Sequence, residues 1–552
     1  MKKKLLLSKL IIFVLSTRLI AQISVTDTMK IYQEIVGDYE FYSDLQYYYS
    51  IRLYIEEGVL LFNGQDGSKV KKIIPVDLEN LKFLISDSEQ EQFLYFQKNL
   101  DNKINTCRLT TDRNESIGNK IDKNSDTIQI ANKLYSVEVL RNDLTQIKNI
   151  LINNHPAVYQ FTSKELFEKN FNEQIAKINR SMNLREYYSI AASVVESVHC
   201  GHTFISLPDK FWTDENLNSF PFELIFLDKK AYVRIFYKGE YIIPFGSEIK
   251  SINEIPMTEI IESTIELISS DGKNETFKLK MLGYQLSDFF TILYGPFDNY
   301  KVNYLAPGSK EIKTQSLKPI RRMSFWETLN TNPQKTSSGN PNLDFIFDEN
   351  KDVAVITIKS FIYYQNKEKF YSFIDSTFKQ IYHSKIQNVI LDLRDNIGGD
   401  PFCTSYLLSY LLLKPVSYFA KVYEGGYEHF ADPIPLATKN AFNGNLYVLI
   451  NGGCFSSTGH LCSILKYHKR CTFIGEETGG TFECNDATAT YNTKETRMNL
   501  NVARMTFTAA VKAIPRGNGI IPDYYIVPNI KDIIEGKDKV KEFTYGLIEK
   551  DK

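Results

Sequence analysis

No charge of one sign dominates this 552-residue sequence: 65 basic residues stand against 66 acidic ones, a formal net charge of -1. That balance supplies no global attraction to nucleic acid or to an anionic membrane, and it favours a neutral partner or a peptide. Cysteine is scarce, with seven residues: Cys107, Cys200, Cys403, Cys454, Cys462, Cys471 and Cys484. An odd count leaves at least one thiol free in an exported chain, and the spacing forms no repeated disulfide framework. There is no CxxC pair, so His199, Cys200 and His202 lack the second ligand pair of a zinc site; neither a metal nor another cofactor is expected. Internal repeats and low-complexity tracts are missing, which excludes a repeat array. The apolar N-terminal run, MKKKLLLSKLIIFVLSTRLIAQ, is interrupted by Lys9 and Arg18, and is too short and too charged to span a bilayer. It reads as an export signal over residues 1–21 that sends the chain to the periplasm or out of the cell, the alternative being an amphipathic first helix.

What is present is the composition of a folded multidomain protein, 43% apolar with 13% aromatic residues, too long for a single ordinary core. Over residues 28–135, short aromatic and β-branched runs alternate with turns, as in SIRLYIEEGVLLFNG, and predict a small antiparallel β module. Residues 140–210 change to helical spacing. Thr162 and Asn183, each followed three residues later by Glu, mark two helix starts, and the second helix is expected to stop near Gly201 with His202 just past its end. Residues 219–320 return to strands, with Asn253 at a tight corner before an amphipathic helix. From 345 to 545 apolar runs alternate with helices, which argues for an α/β layer whose strands are buried on both faces and whose ligands gather at the strand ends.

Those strand ends carry the candidate chemistry. NGGCFSSTGH, residues 451–460, follows the apolar run LYVLI and places two serines at the start of a helix, where free N–H groups and the helix dipole stabilise a developing oxyanion. A serine there is either a nucleophile or a cap. Gly398 and Gly399 after LDLRDN either let the backbone approach a substrate carbonyl or simply make a turn. Cys454 is a third candidate nucleophile beside its commoner state as a buried thiol.

In order, VESVHCGHTFISLP, NVILDLRDNIGGD, LYVLINGGCFSSTGHLCSILKYHKRCTFIGEETGG and GNGIIPDYYI resemble the tail-specific or C-terminal processing serine peptidases, including the tricorn core protease and interphotoreceptor retinoid-binding protein branches. The resemblance spans about 145 to 530. It implies a crotonase/ClpP-like α/β core, a PDZ-like domain over 219–320, and no cofactor. The 28–135 module loosely resembles lipocalin-like domains appended to some bacterial hydrolases. In the family an Asn precedes the nucleophile by five residues and a Gly-Glu pair follows it at nineteen and twenty; Asn451 and Gly475-Glu476 therefore select Ser456. Ser457 then supplies an oxyanion N–H, and Gly398 or Gly399 the second. The processing branch uses a lysine as base where this chain has Thr481, whereas the tricorn-like branch uses a histidine that matches His202 in HCGHT. His199 is left structural.

Four positions depart from that pattern. Gly201 stands where relatives have a serine, Arg516 where they have the glutamate that this serine links to the histidine, Cys200 where many have aspartate and Gly459 where many have glutamate. Glu476, Glu477 and Glu483 are the acids considered as replacements. The implied activity is an exported serine endopeptidase acting on peptides or on unfolded, tail-exposed proteins through an acyl-enzyme. The alternative is a non-catalytic binder of peptides or hydrophobic ligands on the same scaffold.

Overall fold

Strands of alternating polarity need a second layer to cover their apolar face, and the first such strands solve this by closing on themselves. A computed structural model of the protein describes residues 25–43, 48–56, 58–64, 70–86, 92–98, 103–110, 115–120, 133–212, 217–236, 242–321, 342–348, 352–364, 366–512 and 514–550; the expected export signal lies outside them. Contacts divide the chain into two units, one ending at Gln129 and one beginning at Ile130.

In the first unit, eight antiparallel strands from Gly37–Ser43 to Glu115–Lys120 form a closed barrel, the last strand pairing back onto the first through Tyr39 with Lys120 and Phe41 with Gly118. Tyr39, Leu53, Phe83, Leu94 and Phe96 fill it, with Phe83 and Phe96 edge to face at 5.5 Å. One feature differs from the sequence expectation: Val25–Ile35 is a helix, not part of a strand pattern. Its Met29, Tyr32 and Ile35 recur at helical spacing and pack on the barrel core. None of the candidate site residues lies in this unit.

The second unit begins with three helices, Val137–Asn154, Lys164–Lys177 and Leu184–Glu196. Ser163, not Thr162, caps the middle one, accepting from the Leu166 N–H at 3.2 Å. Asn183 and Glu186 form the expected reciprocal capping box, both bonds 3.0 Å. The third helix stops earlier than expected, at Glu196, because Ser197 caps it and His199 turns into left-handed backbone at φ 54°. HCGHT is therefore a connector leading into the strand Phe204–Ser206. Residues 222–317 form an antiparallel sheet whose edges are Phe222–Leu227 and Ile312–Leu317, covered by the helices Met257–Ile265 and Glu275–Tyr294. Asn253 makes its corner at φ 49°, its carboxamide oxygen accepting from the Lys301 N–H.

The α/β layer has strands β1 (Leu343–Asp348), β2 (Val353–Ile358), β3 (Asn388–Asp392), β4 (Asn445–Ile450), β5 (Thr472–Gly475) and β6 (Tyr524–Tyr525) in sequential order. β1 is antiparallel to β2 and every later pair is parallel. Helices α1 (Lys367–His383), α2 (Pro401–Leu411) and α3 (Ser457–Tyr467) cross over between them. Alternate residues serve two cores. Val389, Leu391, Val448 and Ile450 pack against the three helices, while Ile390, Tyr447 and Leu449 face Val540 and Ile548 of the C-terminal helix Lys539–Lys550. Burial on both faces is why these runs read as continuous apolar sequence rather than as alternation. The carboxyl ends of β3 and β4 both open into the glycine-rich loops.

Candidate active site

β4 ends at Ile450 and α3 begins at Ser457, so the turn between them must reverse the chain in six residues. Ser456 takes the strain, at φ 54° and ψ -127°, a conformation non-glycine residues avoid. It stands at the cap position of α3, yet its side chain makes no capping hydrogen bond. The hydroxyl is thus held out of the usual helix-end role by the backbone, as at sharp strand-to-helix turns that display a nucleophile. The Ser456 and Ser457 N–H groups donate to no group among the described residues, whereas Thr458 donates to Phe455 C=O at 3.1 Å and His460 to Ser456 C=O at 3.2 Å. The Ser457 hydroxyl is buried without a partner.

The LDLRDNIGG loop is laid directly on this turn. Gly398, at φ 98°, has no room for a side chain: a Cβ would stand 2.8 Å from the Ser456 Cβ and 3.0 Å from the Ser457 N. The Gly398 N–H is committed to the Asn396 Oδ1 at 2.9 Å, so of the two glycines it is Gly399 whose N–H is left without a partner among the described residues. Asn396 ties the two loops together. Its Nδ2 donates to Ile358 C=O at 3.0 Å, its Oδ1 also accepts from Thr458 Oγ1 at 2.9 Å, and its C=O accepts from the Phe455 N–H at 3.1 Å. Sequence reasoning gave Asn396 no role; the signal was its place two residues before the glycine pair. Asn451 does the same one layer down, exchanging two 2.9 Å bonds with Asp395. Burial works against ionisation of Asp395, but Lys280 and Asn451 hold its pKa down to about 2.

Cys454 is no nucleophile here: its thiol is fully buried, donates to Leu393 C=O at 3.0 Å, and is pushed up to about 12 by that burial. All seven cysteines are free thiols. Cys484 was not singled out from sequence, yet its thiol lies against the Ser456 side chain, and burial raises its pKa well above the usual range.

His202 comes to the same place from 254 residues upstream of Ser456. Its ring stacks on Phe455 at 4.6 Å and 27°, and Phe455 in turn packs on Phe277 at 4.4 Å. A side chain at the residue before it would displace the ring that His202 stacks on, since a Cβ at Gly201 would stand 2.6 Å from Phe455 Cζ. His202 Nε2 is 3.7 Å from Asp486 Oδ2, while Nδ1 is buried with no partner. No hydrogen bond joins His202 to Ser456 among the described residues. His199 instead pairs with Glu196 at 3.2 Å, and Cys200 is buried against Asn485, so the three residues weighed as a zinc site turn apart. His460, one turn into α3, is buried and held neutral, its pKa lowered to about 4 by burial and by the nearby His202 charge.

Residues 352–526 match the profile of peptidase family S41. This segment is a peptidase family S41 domain. In overall fold the chain resembles mature CPAF, with a TM-score of 0.56 at 13% identity over 75% of this chain and 98% of that one, and CPAF complexed with lactacystin, at 0.55 and 12% over 75% and 99%. A photosystem II D1 C-terminal processing protease has a TM-score of 0.38 at 14% identity over 73% of this chain and 98% of that one. No curated relative matches the chain by sequence. The S41 domain is that of a serine-type peptidase, a class acting on peptides or proteins.

The acids considered as replacements for the missing glutamate do not reach His202 in the S41 fold. Glu477 accepts from the Gly519 N–H at 2.7 Å, Glu476 sits below the Gly452 N–H at 3.5 Å, and Glu483 is taken by Gln160, Thr508 and Arg516. The acids beside the histidine are Asp486, which ends the strand Glu483–Asp486, and Asp271. Gly459 replaces a larger residue for a steric reason: a Cβ there would lie 2.6 Å from the Gly480 carbonyl carbon and the Thr481 N. Thr481, at the position of the processing-branch lysine, is buried with an unpartnered hydroxyl and offers no base. Beside Phe222–Leu227 and the helix Glu275–Tyr294 a cleft of about 360 Å³ runs toward Asp395 and Asn451. Among the described residues no three His, Cys, Asp or Glu form a metal-ligating group, and no helix is long and apolar enough to cross a membrane.

Proposed function

We propose that the protein is an exported serine endopeptidase in which Ser456 is the nucleophile, His202 the general base, and the N–H groups of Gly399 and Ser457 the oxyanion donors. The observation that carries this reading is the strained, non-capping Ser456 with Gly398 pressed against it, which leaves the Gly399 and Ser457 N–H groups unpaired among the described residues beside one hydroxyl. In the first step Ser456 Oγ bonds to the substrate carbonyl carbon while its proton passes to His202 Nε2, and the carbonyl oxygen becomes an anion facing the two N–H groups. Collapse breaks the C–N bond, the amine leaves with the proton from His202, and water hydrolyses the acyl-enzyme by the same route.

The sheet of residues 222–317 is, in this reading, a PDZ-related module. Its edge strand Phe222–Leu227 and the helix Glu275–Tyr294 bound the cleft, which suits an extended peptide added as a strand through main-chain bonds that ignore side-chain identity. Unfolded or tail-exposed chains fit that mode better than folded ones. Export rests on the basic and apolar start of the sequence, and N-terminal sequencing of envelope material is expected to find a chain beginning near residue 22; retained Met1 refutes it.

Fluorophosphonate labelling with peptide mapping tests the site. Ser456→Ala and His202→Ala each lower turnover on the order of 10³-fold or more without unfolding the protein, and Ser457→Ala costs little because only its backbone is used. Equal losses from both serines contradict the assignment. A wild-type protein that binds unfolded chains tightly and releases no fragments moves the reading to the non-catalytic binder.

A further inference from the structure

Two buried, unpartnered polar atoms sit on residues far apart in sequence that a hydrogen bond to Gly201 brings to one place in the fold. Asp271, in the link between the helices Met257–Ile265 and Glu275–Tyr294, is 3% exposed. Its Oδ1 accepts from the Gly201 N–H at 2.8 Å, and its Oδ2 is buried with no partner. One residue beyond Gly201, His202 Nδ1 is also buried with no partner. A carboxylate oxygen is an acceptor and an imidazole N–H a donor, so the two vacancies complement one another.

We propose that Asp271 is the positioning residue for His202, its free carboxylate oxygen taking the Nδ1–H so that Nε2 faces Ser456. This rests on the reading of His202 as the base. The two atoms are not hydrogen-bonded to each other among the described residues, and the bond needs only a local adjustment of the His202 ring or the Asp271 carboxylate, whose backbones are closely packed. The Gly272 N–H donates to His199 C=O at 3.0 Å, and Gly272, at φ 62°, packs so closely that a Cβ there would meet the Gly517 backbone at 2.4 Å. On the other side, stacking on Phe455 fixes the plane of the His202 ring. The histidine also faces Asp486, on Nε2, and His460 of α3; Asp271 further faces Cys200 and Cys484. Asp486 is less suited to orient the ring, because it lies on the nitrogen that must reach the serine and is 38% exposed. Burial raises Asp271 to about 6, the nearby Asp486 adds to that, and His202 and the Gly201 N–H pull the other way.

The test compares Asp271→Asn, Asp271→Glu, Asp486→Asn and His202→Ala for peptide turnover across pH. Asn keeps the acceptor for Gly201 but offers Nδ1 no charge. Asp271→Asn is expected to lower kcat on the order of 10²- to 10⁴-fold with KM within about threefold, and to move the acid limb of kcat/KM to lower pH as the imidazolium loses its partner. Asp271→Glu recovers at least about tenfold of that loss, and Asp486→Asn costs less than about tenfold. A downfield Nδ1 proton resonance, present in Ser456→Ala and lost when Asp271→Asn is added, reports the bond independently of turnover. Wild-type kcat and pH profile in Asp271→Asn, with His202→Ala inactive, overturn the proposal alone. An active His202→Ala overturns the base assignment and the proposal with it.

Discussion

Replacing Gly398 with alanine separates a glycine that shapes a catalytic site from one that merely turns the chain. The added Cβ would lie 2.7 Å from the Phe455 carbonyl oxygen, 2.8 Å from the Ser456 Cβ and 3.0 Å from the Ser457 N, where ordinary contact begins at 3.4 Å. Two of these three atoms are backbone in a turn tied to Asn396 and cannot swing aside, so the serine must move by about 0.6 Å. A displacement of about 1 Å in a catalytic group costs roughly 10²-fold. The expected loss in fluorophosphonate labelling rate and peptide turnover is therefore about 10- to 100-fold. Stability falls as well, by about 1–3 kcal/mol for a side chain at φ 98° and about 1–3 kcal/mol for overpacking. Gly308→Ala is the control: its φ is 74° and nothing lies within 4 Å, so it carries only the backbone cost of about 1–2 kcal/mol and leaves turnover unchanged. Urea denaturation and labelling kinetics on the two variants give both numbers. If Gly398→Ala labels at the wild-type rate and loses no more stability than Gly308→Ala, the glycine loop does not rest on the nucleophile and the site is wrongly built.

Arg394 forks between Asp392 and Asp538, with four bonds of 2.7–2.9 Å, and joins β3 to the start of the C-terminal helix. Arg394→Ala leaves buried Asp392 with the backbone N–H of residue 394 at 3.1 Å and Lys359 at 3.7 Å, and is expected to cost about 3 kcal/mol in chemical denaturation, with Arg394→Lys intermediate. Cys454→Ala keeps fluorophosphonate labelling at Ser456 within about threefold, since its buried thiol does no chemistry; loss of labelling would restore the thiol reading. Asp271→Asn is expected to stabilise the fold at pH 7 by on the order of 1–3 kcal/mol while lowering turnover. The folded pKa of Asp271 lies above its free value, so its contribution to stability is full below about pH 4 and is lost as pH rises through about 6; the variant's advantage over wild type therefore grows across that window, and a variant destabilised at pH 7 refutes the assignment.

Much of this was legible in the sequence where the physical cause is local. The capping box at Asn183 needs only two residues at fixed spacing, and the buried strands Asn388–Asp392 and Asn445–Ile450 announce themselves as unbroken apolar runs. The glycines at 398 and 399 were visible as a turn. That the N–H of the first is spent on Asn396, leaving the second free, follows from a hydrogen bond no spacing rule encodes. The strain at Ser456 was equally hidden, because a serine before a helix reads as a cap and only the backbone angles show that it does not act as one. The helix before His202 ends sooner than its sequence pattern for a similar reason: EYYSIAASVVESVHC stays amphipathic past Glu196, while Ser197 caps the helix and His199 turns left-handed.

The least legible element is the acid. A carboxylate that orients a histidine needs only to approach one ring nitrogen from outside the serine's side, and the chain has many loops that can deliver one. Where the resemblance places that acid stands Arg516, which is largely exposed and reaches Glu483 instead. Yet the glycine that follows it, Gly517, is the surface on which Gly272 rests, so the loop carrying Asp271 enters the same neighbourhood from the opposite strand of chain. A carboxylate delivered this way is buried, which penalises its charge while His202 is neutral and strengthens its attraction once the imidazolium forms, because both act in a medium that screens poorly. On the proposed assignment the site therefore gains most from Asp271 when the proton of Ser456 has moved, which is the condition for lowering the barrier rather than tightening the ground state.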